Sequence, residues 1–427
     1  MLLGLLAGVV LGILARFMLG TGPLLDGLIR YIAHPLGQVY LRLLFMLIIP
    51  LVFSALCLGI AGIGEMKSLG RIGVKTLIYT VAISGIAVLI GLTVVNLLRP
   101  GDLPDGIREQ LLQSAMDRQS NFTVPKSDKT AVELLLNIIP DNVVRAASQS
   151  DMLAVMFFAL IFGIALAMVR TEATQRLQEV IQGIYDVTWK LIQIVMGLAP
   201  YGVAGLMFTI TAQLGIDILI QLLRYVGVVL LALALHQFVV YSAVVSWLGK
   251  MSPRYFFRAV QDAMVTAFST ASSNATLPTA LRVAEEKLGL QSHVSRFVLT
   301  VGSTANQNGT ALFEGVTVLF LAQLYGVHLS LTQQFLVVIV CILGGVGTAG
   351  VPAGSIPVVA MILGMVGIPV EGVGIILGVD RFLDMCRTTL NVTGDLAAAV
   401  VINASEKEHG APRSLSKSAE HLDSKLT

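Results

Sequence analysis

Nine apolar runs, each near the length a helix needs to cross a hydrocarbon core, constrain this chain more than any other feature. They fall near residues 2–20, 38–63, 73–98, 152–170, 184–213, 220–248, 294–324, 333–364 and 372–403. A water-soluble fold has too little polar residue to cover them, because 55% of the 427 residues are apolar and 13% are charged. That charged share is about half of what soluble domains carry. Within a bilayer every backbone group must be satisfied inside the segment, which leaves helices as the solution for such runs. The expectation is an all-α polytopic membrane protein. Leu2–Leu19 reads as its first membrane helix and not as a signal peptide, since it lacks a basic start and a clear cleavage site.

Several classes drop out. A net charge of +2 and the absence of interleaved basic and aromatic residues argue against a nucleic-acid partner. Cys57, Cys341 and Cys386 lie inside apolar runs without metal or redox spacing, as small core hydrophobes do. The polar stretch between Arg99 and Asp151 reads as a solvent-exposed loop with an amphipathic piece near 131–139, and the tail after Glu406 as disordered. Lys67, Arg71 and Lys75 follow the second span, Arg170 and Arg176 the fourth, and Lys250, Arg254 and Arg258 the sixth. Short basic loops mark the cytoplasmic side, so both termini are expected there.

Two segments do not read as plain spans. Val260–Leu290 carries Ser269-Thr-Ala-Ser-Ser-Asn-Ala-Thr-Leu-Pro278, and Val338–Met365 is broken by Gly344-Gly-Val-Gly-Thr-Ala-Gly-Val-Pro-Ala-Gly354. Kinks alone could explain one such interruption. Two of them, each beside a charged helix, point to paired re-entrant hairpins around a transport site.

The last span reads Gly378-Val-Asp-Arg-Phe-Leu-Asp-Met-Cys-Arg-Thr-Thr-Leu-Asn-Val-Thr-Gly-Asp395. At helical spacing Asp380, Asp384, Arg387, Thr388, Asn391 and Asp395 share one stripe. An ionised side chain at bilayer depth costs at least about 2.5 kcal/mol. An internal ion-pair network is one explanation, but buried pairs are poor stabilisers. A binding role is the better one. Arginine suits a carboxylate or a phosphate, an aspartate one turn away suits an ammonium, and Asn391 with Asp395 offers hard oxygens for a small cation. In the preceding span, Gly302-Ser-Thr-Ala-Asn-Gln-Asn-Gly-Thr-Ala-Leu-Phe-Glu314 predicts local unwinding around Asn306, Asn308 and Gly309, freeing carbonyls for a cation. Glu314 reads equally as a buried proton carrier or as a glutamate facing a wet cavity.

These motifs resemble the glutamate transporter homologue family, the dicarboxylate/amino acid:cation symporters. The resemblance rests on Ser272-Ser-Asn-Ala-Thr-Leu-Pro278, Asn306-Gln-Asn-Gly-Thr310, Gly347-Thr-Ala-Gly-Val-Pro352 and Asp384-Met-Cys-Arg-Thr-Thr-Leu-Asn-Val-Thr-Gly-Asp395, in that order. It implies eight transmembrane helices plus two re-entrant helical hairpins, assembled as a homotrimer; the short loops and the lack of a visible eukaryotic sorting signal favour a cell inner membrane. Residues 1–250 would be mainly scaffold and trimerisation helices, with spans 3 and 6 moving with the transport domain. Residues 251–404 would form the transport core, and 405–427 a cytoplasmic tail. The implied activity is uptake of an acidic amino acid, coupled to Na+ and/or H+ by an elevator-type movement, with a C4-dicarboxylate or neutral amino acid as the alternative cargo.

By the same resemblance Arg387 would hold the substrate side-chain carboxylate and Asp384 its amino group. Thr310, Thr388 and Asn391 would complete the site, with Ser273 and Val351 from the hairpin tips. One cation site would use Gly302, Asn306, Asn391 and Asp395, and a second the carbonyls around Thr304, Val346 and Thr348. Glu314 stands where relatives carry the glutamate linked to proton co-transport. Departures also show: Asn308 replaces an aspartate, Gln307 a methionine, and Thr80, Ile83 and Ser84 stand where three-sodium relatives have tyrosine, threonine and serine. Fewer than three Na+ sites are therefore expected. The accessory arginine is missing at both Ala271 and Met385, and Arg381 has no assigned role. The membrane segments hold no Gly-x-Ser-x-Gly, His-Glu-x-x-His or phosphate-binding loop, and Asp395 follows Val392-Thr-Gly in place of the Gly-x-Gly of intramembrane aspartyl proteases, so an enzyme is not expected.

Overall fold

The computed structural model describes residues 2–20, 22–65, 70–103, 139–149, 152–169, 171–347 and 355–410, and all their regular structure is helical. The chain begins with α1 (Leu2–Leu19), then α2 (Pro23–Leu28), which runs through a π-turn into α3 (His34–Phe45). Pro23 at the first helical position is pre-set for a helix start after the extended Gly22, so this helix opens well before the apolar run near 38. α4 (Ile48–Glu65) and α5 (Gly70–Leu98) follow, then α6 (Val143–Ser148), α7 (Met152–Met168) and α8 (Glu172–Leu214). α8 starts twelve residues before the apolar run at 184 because Thr171 and Thr174 form a reciprocal capping box there. The amphipathic piece expected near 131–139 lies almost wholly outside the described residues.

The second half is α9 (Asp217–Leu235), a π-turn at His236–Val240, α10 (Tyr241–Trp247), α11 (Pro253–Thr270), α12 (Ser273–Arg282), α13 (Ser292–Ala305), α14 (Asn308–Leu324), α15 (Leu331–Gly347), α16 (Ser355–Met365) and α17 (Val373–Gly410). α17 continues past the boundary expected at Ala404. The polar end of α17 is clasped to the start of α5, where Arg71 and Lys75 both donate to Glu406, at 2.5 and 2.8 Å. Those donors hold the Glu406 carboxyl down to about 2 from its ordinary 4.5.

Among the described residues four stretches are long and apolar enough to cross a membrane: Pro23–Gly59, Arg71–Leu98, Glu172–Gln213 and Ile218–Trp247. Shorter apolar helices add Leu3–Leu19, Ala154–Met168, Leu331–Gly345 and Ser355–Met365. Large apolar side chains such as Leu6, Phe17, Ile78, Leu89, Val180 and Val187 face outward. Lipid is the solvent such a surface requires.

Packing sorts the helices. α1, α3 and α4 lie along α8, and α4 also packs on α7. Gly4, Gly8 and Gly12 let α1 sit on the α8 backbone, where added Cβ atoms would collide with Pro200, Ala204 and Thr211. Around the other centre, α5, α11, α13 and α14 pack with one another or on α17, and α14 is buried along nearly its whole length. α11 and α12 form an antiparallel pair. Ala271, left-handed at φ 49°, makes the turn, and Tyr255 near one foot donates to the Lys287 carbonyl at the other, 2.6 Å away. Ser272 caps α12 by accepting from the Ala275 amide. α15 packs on α16.

Candidate functional site

The helix expected to unwind does so at two residues. Asn306 and Gln307 leave helical geometry, with ψ of 64° and 59°, and separate α13 from α14. Amides and a glycine in an apolar helix offer the backbone alternatives, and here the side chains take them. Asn306 Nδ2 donates to Asp395 Oδ1 at 2.8 Å, Asn391 Nδ2 donates to Gln307 Oε1 at 2.6 Å and to Thr310 Oγ1 at 3.1 Å, and the Gly309 amide donates to Asn391 Oδ1 at 2.7 Å. The break and the middle of α17 are thereby stitched into one unit. Gly302 and Gly309 permit this, since a Cβ on either would strike α17, at Asp395 or at the Arg387 carbonyl.

One to two turns along α17 sits the charged cluster. Arg387 is 1% exposed, and it donates from Nη1 to Asp380 Oδ1 at 2.9 Å and from Nε to Asp384 Oδ1 at 3.0 Å. Its guanidinium carbon lies 4.2 Å from the Phe313 ring centroid on α14. Arg381, partly exposed, approaches Asp384 Oδ2 at 3.7 Å. A fork donor held between two carboxylates and stacked on a ring is fixed in place, and its planar fork is of the chemistry that suits a carboxylate.

Glu314 is fully buried, and among the described residues neither carboxyl oxygen has a hydrogen-bond partner. It faces α15 at Gly344, where a Cβ would come within 2.9 Å of Oε2. In this conformation Glu314 has no exposure to a water-filled cavity on α14. Among the described residues Asp395 is buried with one donor, and Asn306 Oδ1 has no hydrogen-bond partner. Those oxygens, with the Gly302 carbonyl that also accepts the Asn306 amide, form a hard donor set suited to an alkali cation. Thr304 Oγ1 donates back to the Val301 carbonyl, Ser273 is buried at the start of α12, and Thr388 is buried on α17. Val346 falls in α15, whereas Thr348 and Val351 lie outside the described residues.

Sequence reasoning passed over four residues. Asp380 stood on the stripe without a role, yet it shares Arg387 with Asp384. Phe313 was an apolar neighbour of Glu314. Tyr241 and His236 come from another helix, and no spacing links them to the site. Asn308 shows why Tyr241 counts: Ser84 Oγ donates to its Oδ1 at 2.6 Å and its Nδ2 donates to Tyr241 Oη at 3.1 Å.

Residues 1–405 match the model of the sodium:dicarboxylate symporter family. The chain belongs to that family. It is therefore a multi-pass membrane protein of the secondary-transporter class and not an enzyme. A proton/glutamate-aspartate symporter of Escherichia coli is 34% identical over 399 residues, covering 93% of this chain and 90% of the relative. A proton/sodium-glutamate symport protein of Bacillus caldotenax is 34% identical over 406 residues, covering 94% and 93%. A C4-dicarboxylate transport protein of Rhodospirillum rubrum is 33% identical over 408 residues, covering 95% and 88%.

Proposed function

We propose that this family member imports an acidic amino acid, aspartate or glutamate, together with Na+ and/or H+. The observation that carries this reading is Arg387, buried between Asp380 and Asp384 beside the unwound break. Arg387 is the receptor for the substrate side-chain carboxylate, and Asp384 receives the amino group. Thr310, Thr388 and Asn391 bind the main-chain groups, and Ser273 closes from the tip of the α11–α12 pair.

Asn306, Asn391 and Asp395 with the Gly302 carbonyl hold one cation, and carbonyls around Thr304 and Val346 contribute to a second. At Asn308 the hydroxyls of Ser84 and Tyr241 satisfy a neutral amide, which supports fewer than three Na+ sites. Glu314 is the proton carrier: ionised it has no donor among the described residues, and a proton removes that cost.

The α11–α12 and α15–α16 pairs are re-entrant hairpins added to eight transmembrane helices. With α13, α14 and α17 they make a transport core over residues 251–404. This core moves as an elevator against a scaffold built mainly from residues 1–250, with α5 and the α9–α10 helix travelling along. The protein is a homotrimer in a cell inner membrane with both termini in the cytoplasm.

A dicarboxylate cargo is the second reading, favoured by the R. rubrum relative. Binding of labelled L-aspartate to purified protein, competed with L-glutamate, succinate and L-serine, separates the two. Competition by glutamate but not by succinate, lost in Arg387→Ala, is the expected result. Succinate outcompeting aspartate would assign the dicarboxylate cargo instead.

A further inference from the structure

His236 is a fully buried imidazole, and among the described residues neither ring nitrogen has a hydrogen-bond partner. Such a residue forfeits hydrogen bonds that water would have supplied, so its own burial gives no reason for it to be there. What it touches does. Its ring meets the Tyr241 ring edge-on, with centroids 4.8 Å apart and planes at 78°. In an α-helix, residues five apart point about 140° away from each other. The π-turn at His236–Val240, closed by the Tyr241 amide donating to the His236 carbonyl, brings the two onto one side. Gln237, the next residue of the turn, is anchored to α17 by its Nε2 donating to Thr393 Oγ1 at 3.0 Å.

Tyr241 in turn connects two parts of the site. Its hydroxyl accepts from Asn308 Nδ2 at 3.1 Å and donates to the Leu390 carbonyl of α17 at 3.3 Å. Gly394 makes room for it, since a Cβ there would collide with that hydroxyl. Asn308 flanks the two-residue break, whose first residue, Asn306, donates to Asp395.

We propose that His236 is a positioning residue: its ring braces Tyr241, whose hydroxyl ties the break to α17 and so sets the affinity of the Asn306–Asp395 cation site. With both nitrogens unspent, the imidazole works through its edge and shape. This rests on the cation-coupled reading above.

The test uses the full-length protein and two readouts: melting temperature titrated with NaCl against choline chloride, and the sodium concentration giving half-maximal uptake. His236→Ala should raise the half-saturating sodium concentration about 2- to 12-fold, the range an edge-to-face aromatic contact spans, while maximal uptake stays within about twofold. Tyr241→Phe keeps the ring contact and loses the hydroxyl, and it should shift in the same direction. His236→Phe keeps the edge and should shift no more than about twofold by the same contact argument. Should His236→Ala fail to fold, the Phe variants at 236 and 241 decide. A His236→Phe as impaired as Tyr241→Phe would overturn the proposal by moving the role to the ring nitrogens, and an unshifted Tyr241→Phe would break the relay. Sodium-responsive wild type with unshifted variants overturns this inference alone. Wild type indifferent to sodium overturns it together with the sodium-coupled reading.

Discussion

Asp380 offers the most informative single perturbation. It gives Arg387 one charge-assisted hydrogen bond of 2.9 Å in surroundings where both residues are almost fully buried. Bonds of that kind contribute about 1.5–3 kcal/mol. Asp380→Asn keeps an oxygen near the guanidinium but removes the charge, and Asp384 still holds Nε at 3.0 Å. The substrate-free protein should therefore lose about 2 kcal/mol, less than the roughly 3–5 kcal/mol of a charge left wholly unpaired. If a substrate carboxylate then pairs with the same guanidinium, the loss returns as affinity. About 2 kcal/mol is about 30-fold, the upper limit for tighter L-aspartate binding. The assay is a melting curve of the purified variant without substrate, followed by calorimetric titration with L-aspartate. A lower melting temperature with tighter binding is the expected pair of results. Weaker binding would refute the reasoning, because Asp380 would then be helping to hold the substrate and not competing for its receptor.

Other outcomes follow from the same geometry. Glu314→Gln, which removes the unpartnered carboxyl, should abolish the pH dependence of uptake in proteoliposomes; an unchanged pH profile would relieve Glu314 of its role. Asn308→Asp places a charge between Ser84 and Tyr241 and should increase the sodium-dependent rise in melting temperature. Gly309→Ala drives a Cβ to 2.7 Å from the Arg387 carbonyl and should destabilise by about 1–3 kcal/mol, read by melting, with substrate binding weakened in parallel. The Glu406 clasp, whose folded carboxyl lies near 2 and below its ordinary 4.5, contributes fully above about pH 4.5. That contribution is lost as pH falls towards 2, and Glu406→Gln should flatten this acid limb of the melting profile.

Much of the site could be read before any coordinates. The stripe from Asp380 to Asp395 follows from helical period alone, and polar residues at that depth announce themselves by their cost. Asn306, Asn308 and Gly309 in an apolar run marked the break, which falls at Asn306–Gln307. What stayed hidden depends on packing between helices. No pattern along α10 says that Tyr241 reaches Asn308, and the π-turn that aligns it with His236 leaves no periodic signature. Asp380 was visible as a charge, but its sharing of Arg387 with Asp384 is a matter of side-chain geometry. Helix ends were set by local chemistry that hydropathy does not weigh: Pro23 opens α2 early, the Thr171–Thr174 box lengthens α8, and the Arg71–Lys75–Glu406 clasp accompanies the extension of α17.

Concentrative uptake of labelled L-aspartate into proteoliposomes, under an imposed inward sodium gradient and separately under an imposed proton gradient, tests the symport of an acidic amino acid most directly. Accumulation above the external concentration under at least one gradient, abolished in Arg387→Ala and stripped of pH dependence in Glu314→Gln, is the expected result. Equilibration without accumulation under both gradients, in protein that binds L-aspartate, would contradict it.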